Sequence, residues 1–305
     1  MSLSFAIVGC GALGGYYGAR LHHAGFETHF VLHRDYEHVR AHGLRVDSID
    51  GDLSIAQPLC WPNLASLPPC DVICLSLKAT ANASLREHLA AKVKPGGCVL
   101  VLQNGLGIEE EIATWVPGVP VLGGLCFLCS NKIGPGHIHH LDYGAIRLGA
   151  LASQSEASQA LLAELREHFI QAKIETFIAK DLAQARWQKL VWNIPFNGLS
   201  VLLRADTQEL MQKPSARALV HSLMLEVEAA SIACQSPIPN GFIEKMLADT
   251  ERMAPYLPSM RLDFDRQQPM EIDAIYSRPI AWAAQHGYEM IRTRMLRDQL
   301  QALQP

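Results

Sequence analysis

Phe5-Ala6-Ile7-Val8-Gly9-Cys10-Gly11-Ala12-Leu13-Gly14 sets a short apolar run directly before a G-x-G-x-x-G turn. Such glycines permit a tight turn, close approach of backbone to a pyrophosphate, and close packing of the next helix, whose free N–H groups and positive dipole end attract phosphates. Taken alone, the motif also fits an ordinary strand-to-helix turn. Its surroundings favour the first reading: Ala12 to Ala24 carries helix formers and stops at Gly25, and Glu27-Thr28-His29-Phe30-Val31-Leu32 follows as a second strand. Gly9, Cys10, Gly11, Ala12, Leu13 and Gly14 are therefore the expected dinucleotide loop of a Rossmann-type domain.

Outward from this loop, strand and helix signals alternate. Asp71 to Leu77 is a near-continuous apolar run, Thr80 to Val93 reads as helix, Pro95-Gly96-Gly97 as a turn and Cys98 to Leu102 as a buried strand, the pattern of a parallel sheet with crossover connections. Beyond Val119, strand-like runs punctuated by Gly134-Pro135-Gly136 and Asp142-Tyr143-Gly144, with Ala145 to Gly149 as a further strand, predict a mixed or antiparallel end to the sheet. A polar break from Ser153 to Ser158 leads into a helix over Ala157 to Ile170 and a last strand signal over Lys173 to Ile178. From Lys180 onward the periodicity is helical, over Asp181 to Val201, Ser215 to Cys234, Phe242 to Met253 and Met270 to His286. The expected fold class is an α/β Rossmann-type nucleotide-binding domain, residues 1–179, followed by an all-α helical domain, residues 180–305, that carries substrate-binding and catalytic groups.

Composition narrows the partners. The 305 residues are 49% hydrophobic, enough for a sizeable core, and the net charge of −4 comes without a block of like charges. Nothing therefore points to nucleic acid or to an anionic membrane surface. No apolar stretch approaches the ~18–20 residues that span a bilayer, and no basic leader precedes the first strand, so a cytoplasmic location and small-molecule partners are expected. The eight cysteines sit in apolar runs, as small buried hydrophobes do. Cys126-Phe127-Leu128-Cys129 followed by His137, His139 and His140 has a superficial zinc-like spacing, but Val119 to Cys129 reads as a core strand, so no metal is expected.

The second strand ends Leu32-His33-Arg34, where enzymes using NAD usually place an acidic residue for the adenine ribose. A guanidinium there can hold a 2′-phosphate through parallel charge-assisted bonds, which points to NADP(H). The alternative is a solvated Arg34 paired with Asp35.

In the helical part, Lys189, Asn193 and Asn197 are spaced i, i+4, i+8 and are extended by Ser200, forming one polar line on an otherwise apolar helix. A buried line of this kind must be paired, with protein groups or with a polar ligand. Pro195 removes one backbone donor and suggests a bend. Lys78 and Asn104 end two apolar strands, and in open α/β sheets ligands bind outside those carboxyl ends.

Together, Gly9-x-Gly11-Ala12-x-Gly14, Lys78, Gln103-Asn104-Gly105-Leu106-Gly107, Lys189-x3-Asn193-x3-Asn197, and Ser259-Met260-x2-Asp263 followed by Glu271-Ile272-Asp273 resemble the 2-dehydropantoate 2-reductase (ketopantoate reductase) family over nearly the whole chain. The resemblance implies NADPH-dependent reduction of 2-dehydropantoate to (R)-pantoate, a step towards pantothenate and coenzyme A. It implies that Lys189 is the general acid, that Glu271 serves the cofactor ribose and the catalytic centre, and that Asn193, Asn197 and Ser259 bind substrate. Lys78 and Asn104 would line both the cofactor and the substrate sites. A lysine suits the chemistry, because hydride delivery to a ketone leaves an alkoxide that needs a proton and a nearby cation. Partial burial or neighbouring Lys78 would lower its pKa, and Glu271 would oppose that shift.

The chain departs from the family pattern mainly in its last third. Pro258 stands where a serine is frequent, Tyr276-Ser277 where Asn-Gly is common, and Ile291 and Thr293 where Pro and Asn are usual. These changes bear on which 2-keto acid is taken more than on the reaction type. Two alternatives share the layout: a related NADP-dependent 2-keto acid, opine-type or glycerol-3-phosphate-type dehydrogenase, and a regulatory protein that binds NADPH without turnover. Retention of Lys189 and Glu271 argues against the second. A homodimer is compatible with the sequence, which does not specify an assembly.

Overall fold

Strand β1 (Ser4–Val8) is buried at every position, as a strand covered on both faces requires. It is an interior strand of the sheet in the computed structural model, which describes residues 3–151 and 156–304. Parallel neighbours lie on either side of it. On one side are β2 (Glu27–Val31) and then β5 (Leu59–Trp61); on the other are β6 (Cys70–Leu75), β7 (Val93–Val101) and β8 (Val121–Gly134). The chain thus leaves β1 in one direction and later resumes in the other, which makes the carboxyl ends of β1 and β6 a topological switch point.

The mixed end expected from the turn signals is present. β9 (His137–Ala150) runs antiparallel to β8, β3 (Leu44–Ser48) and β10 (Thr176–Ile178) pair parallel with β9, and β4 (Leu53–Ile55) closes antiparallel on β3. Helices α1 (Ala12–His23), α2 (Tyr36–His42), α3 (Ile108–Trp115) and α4 (Glu156–Gln171) belong to the same unit, which comprises the residues up to Gln103 together with Ile108–Leu182. Its core includes Phe5, which meets Phe26 and Phe169 edge-on at 5.3 and 6.3 Å.

One expectation fails here. The helix read over Thr80 to Val93 is instead two short 3₁₀ segments, Ala79–Leu85 and Ala90–Lys92. Polar side chains in the first segment bond elsewhere: Ser84 Oγ donates to the Ala81 carbonyl at 2.8 Å, and buried Asn82 exchanges two amide bonds with Gln103 at 3.1 and 2.6 Å. The polar break at Ser153 to Ser158 falls in part outside the described residues.

The second unit, Asn104–Gly107 together with the chain from Ala183 onward, is helical. It contains most of α5 (Leu182–Leu203), then α6 (Thr207–Gln212), α7 (Pro214–Ala233), α8 (Phe242–Arg252) and α9 (Ser259–Asp265). The single helix expected over Met270 to His286 is divided into a π-helical turn, Asp273–Ser277, and α10 (Arg278–Gln285), and α11 (Ile291–Leu303) follows. Trp187, Phe196, Met224 and Ile275 are among the side chains of its own apolar core. All eight cysteines are free thiols; seven are buried and Cys60 is half-buried. Among the described residues no helix is long and apolar enough to cross a membrane.

Candidate functional site

In the first unit, the turn between β1 and α1 is shaped by what its glycines exclude. Gly9 has φ +97°, and a Cβ there would collide with the Leu77 backbone. A Cβ on Gly14 would strike the Gly9 carbonyl and Ser76 Oγ. Ser76 Oγ fixes this packing by donating to the Gly9 carbonyl at 2.8 Å. Gly11, the N-cap of α1, is different: a Cβ at that position would project into open space, with nothing within 4 Å. No side chain caps the helix and no acidic residue occupies its first turn. Open space over a glycine, together with uncapped helical N–H groups, is a cradle suited to a pyrophosphate.

Arg34 is exposed three residues beyond the end of β2. The adjacent Asp35 is buried, and its carboxylate takes Lys132 Nζ at 2.5 Å and the Gly136 N–H at 3.0 Å. That carboxylate ties the loop after β2 to the β8–β9 turn. Lys78 is half-buried just past β6, in extended conformation, and its carbonyl accepts from the Ala81 N–H at 2.9 Å. Gln103 Nε2 donates to the Leu77 carbonyl at 2.8 Å, so the Gln103–Asn82 pair fixes the backbone beside Lys78. Sequence reasoning passed over Ser76 and Asn82, and quoted Gln103 within a motif without giving it a role. The only signal was a polar Asn within an expected helix.

Cys10 is buried within the loop, and burial pushes its thiol far above the usual range. Cys126 and Cys129 lie on β8, both buried, and burial raises the Cys129 thiol to about 12. Among the described residues, no three His, Cys, Asp or Glu side chains are grouped to hold a metal ion.

The remaining candidates lie in the second unit. α5 runs through Pro195 without interruption and carries Lys189, Asn193, Asn197 and Ser200 at helical spacing. Lys189 is half-buried, whereas the other three are buried. Asn197 Oδ1 accepts from the Met260 N–H at 3.1 Å and from Ser259 Oγ at 3.5 Å, at the first turn of α9. Asn197 and Ser259 are therefore in contact, with the amide oxygen committed to the protein. Asn193 differs: its Nδ2 is buried and has no hydrogen-bond partner. A buried amide donor left unpaired costs about 1–3 kcal/mol, which a polar ligand would recover. Glu271 is buried just before the π-turn, and half-buried Asn104 begins the short segment that belongs to this unit.

Comparison with known proteins shows the family. Residues 5–153 match the family model described as ketopantoate reductase PanE/ApbA, and residues 181–304 match the model of its C-terminal part. The chain is 47% identical over 301 residues to 2-dehydropantoate 2-reductase of Nostoc sp., covering 98% of this chain and 94% of that protein. The crystal structure of 2-dehydropantoate 2-reductase from Geobacter metallireducens GS-15 superposes with a TM-score of 0.93 at 40% identity, over 98% of this chain and 99% of that one. D-mandelate dehydrogenase, solved with NADH and anilino(oxo)acetate, has a TM-score of 0.90 at 20% identity over 99% and 98% of the two chains, a likeness of fold alone.

Proposed function

This chain belongs to the ketopantoate reductase PanE/ApbA family, and from that premise we propose that it reduces 2-dehydropantoate to (R)-pantoate with NADPH. The observation that carries the reading is the unpartnered amide nitrogen of Asn193, buried on the same helical line as Lys189 and Asn197. A donor held out of water without an acceptor suits a substrate carboxylate or hydroxyl.

We take the sheet-bearing unit as the nucleotide domain and the helical unit as the substrate domain. Gly9 to Gly14 would hold the pyrophosphate, with Gly11 leaving the room and α1 supplying N–H groups. Preference for NADPH over NADH is supported by exposed Arg34 and by the commitment of Asp35 to Lys132 and Gly136, which removes the nearest carboxylate from ribose recognition. Lys78 and Asn104 would contribute to cofactor and substrate binding, and Glu271 would face the cofactor ribose. When bound, the nicotinamide supplies the hydride that forms the new C–H bond. Lys189 Nζ gives a proton to the oxygen of the former ketone and is reprotonated from water, while its charge stabilises the developing alkoxide. The Asn193 amide, the Asn197 amide nitrogen and the Ser259 hydroxyl orient the keto acid. Eight free thiols fit a reducing compartment, in keeping with a cytoplasmic location.

The test is NADPH oxidation by the purified protein with 2-dehydropantoate and with 2-ketoisovalerate, which lacks the hydroxymethyl group. A pocket whose buried polar groups pair with that hydroxyl should favour 2-dehydropantoate by a factor of up to about 10⁴ in kcat/KM, against about 10–200 for a merely apolar pocket. Equal kcat/KM for the two acids would refute the substrate while leaving reductase chemistry intact.

A further inference from the structure

Two features of helix α5 fall between Asn193 and Asn197: Pro195, and a side-chain bond to the Ile194 carbonyl. Pro195 has no N–H, so the Val191 carbonyl loses its helical donor. At the preceding residue, the Ile194 carbonyl accepts a hydrogen bond from the Tyr276 hydroxyl at 2.9 Å. Tyr276 is fully buried, and its ring tip enters beside Gly198. A Cβ at 198 would lie 2.8 Å from that hydroxyl and 2.7 Å from Leu296 Cδ2. Glycine within a helix costs about 1 kcal/mol relative to alanine, and here the cost admits the tyrosine.

Tyr276 belongs to the π-turn Asp273–Ser277, which begins two residues after Glu271. Turns of this kind carry an extra residue and recur at functional sites. The same turn is tied to the short segment that follows Asn104. The Ala274 carbonyl accepts from the Leu106 N–H at 3.1 Å, and Arg278 donates to the Gly107 carbonyl at 3.1 Å while pairing with Asp273 at 2.7 Å. Three segments bearing candidate site groups therefore converge on one turn: Glu271 leads into it, Asn104 is linked through Leu106 and Gly107, and Asn193 and Asn197 are linked through Tyr276.

We propose that Tyr276 is a positioning residue for keto-acid recognition: its hydroxyl holds the Ile194–Gly198 turn of α5 so that Asn193 and Asn197 keep a fixed register to Glu271. The inference rests on reading Asn193 and Asn197 as substrate-binding groups and Glu271 as a group of the cofactor and catalytic centre. The ring alone would fill the same space as phenylalanine. What the hydroxyl adds is a directed bond to the Ile194 carbonyl, which fixes the rotation and height of that turn. Misplacement of binding groups by about 1 Å can cost as much as 10²-fold, so loss of a single fixing bond should be visible in the KM for the keto acid.

Tyr276→Phe tests this with little risk to folding. The KM for 2-dehydropantoate should rise about tenfold, with kcat reduced less and the NADPH dissociation constant, read by fluorescence titration, unchanged. An unchanged KM, even with a lowered melting temperature, would show a packing role only and overturn the proposal. Gly198→Ala provides a second arm, because its methyl would displace the hydroxyl. It should raise KM in the native background and much less in the Tyr276→Phe background; fully additive effects would also overturn the proposal. The unmodified protein separates the two readings. No NADPH oxidation with 2-dehydropantoate removes the substrate assignment, whereas normal turnover with an unaffected Tyr276→Phe variant removes the role of Tyr276 alone.

Discussion

Lys189 stands one helical turn ahead of Asn193, and it is the only cation on the line that Asn193, Asn197 and Ser200 continue. Replacing it with alanine should lower kcat by about 10²–10⁴-fold while NADPH still binds, because its assigned work is proton donation rather than cofactor capture. Single-turnover rates combined with fluorescence titration separate these effects, and a variant retaining more than about a tenth of the rate would exclude general acid catalysis by this residue. Arg34→Ala should raise KM for NADPH by at least about tenfold and leave KM for NADH nearly unchanged, the expected result of losing a charge-assisted bond worth about 1.5–3 kcal/mol. Equal KM values for the two cofactors in the unmodified protein would sink that assignment. The α5 line and the glycine loop were legible in the sequence because their residues stand at fixed short spacings. Tyr276 against Ile194 and Asn82 against Gln103 were not, since 82 and 21 residues separate the partners and nothing in one chain records such pairings.

At the level of elements, α7 and α11 are joined by a buried carboxylate. Glu226 on α7 accepts from the Arg292 N–H at 2.9 Å, the Thr293 N–H at 2.7 Å and the Thr293 hydroxyl at 2.7 Å, all in the first turn of α11. A negative charge at that position satisfies orphan donors and opposes the positive end of the helix. The unusual Thr293 thus acquires a purpose, since its hydroxyl is one of the three donors. Glu226→Ala should destabilise the protein by about 2–4 kcal/mol and Glu226→Gln by about 1 kcal/mol, as measured by urea unfolding. Unchanged stability in Glu226→Gln would show that the charge contributes nothing. Long helices such as α5, α7 and α8 were readable from their apolar periodicity. The short strands β3, β4 and β5 were not, because three to five residues carry too little pattern, and β3 and β5 join the sheet by pairing with β9 and β2, which are distant in sequence.

Taken as a whole, the chain builds two apolar cores from separate sets of residues, one around the sheet and one around α5 and α7. The α/β-then-helical character could be read because hydrophobic periodicity changes after Lys180. The inclusion of Asn104–Gly107 with the helices could not, since those four residues follow a strand in sequence and are claimed by the helical unit through the Leu106–Ala274 backbone bond, the Arg278 bond to Gly107 and the packing of Leu106 in its core. The distribution of free thiols gives each core its own clock. Cys70, Cys74 and Cys98 are sealed in the sheet, whereas Cys234 is buried alone at the end of α7. Burial holds all four above the ordinary thiol pKa, so alkylation at neutral pH must wait for local opening. Timed iodoacetamide labelling read by peptide mass spectrometry should therefore yield two rates, one for Cys234 and a slower shared one for the three sheet thiols. NADPH should slow the shared rate more than that of Cys234. A single rate for all four, slowed equally by NADPH, would mean that the two cores breathe as one.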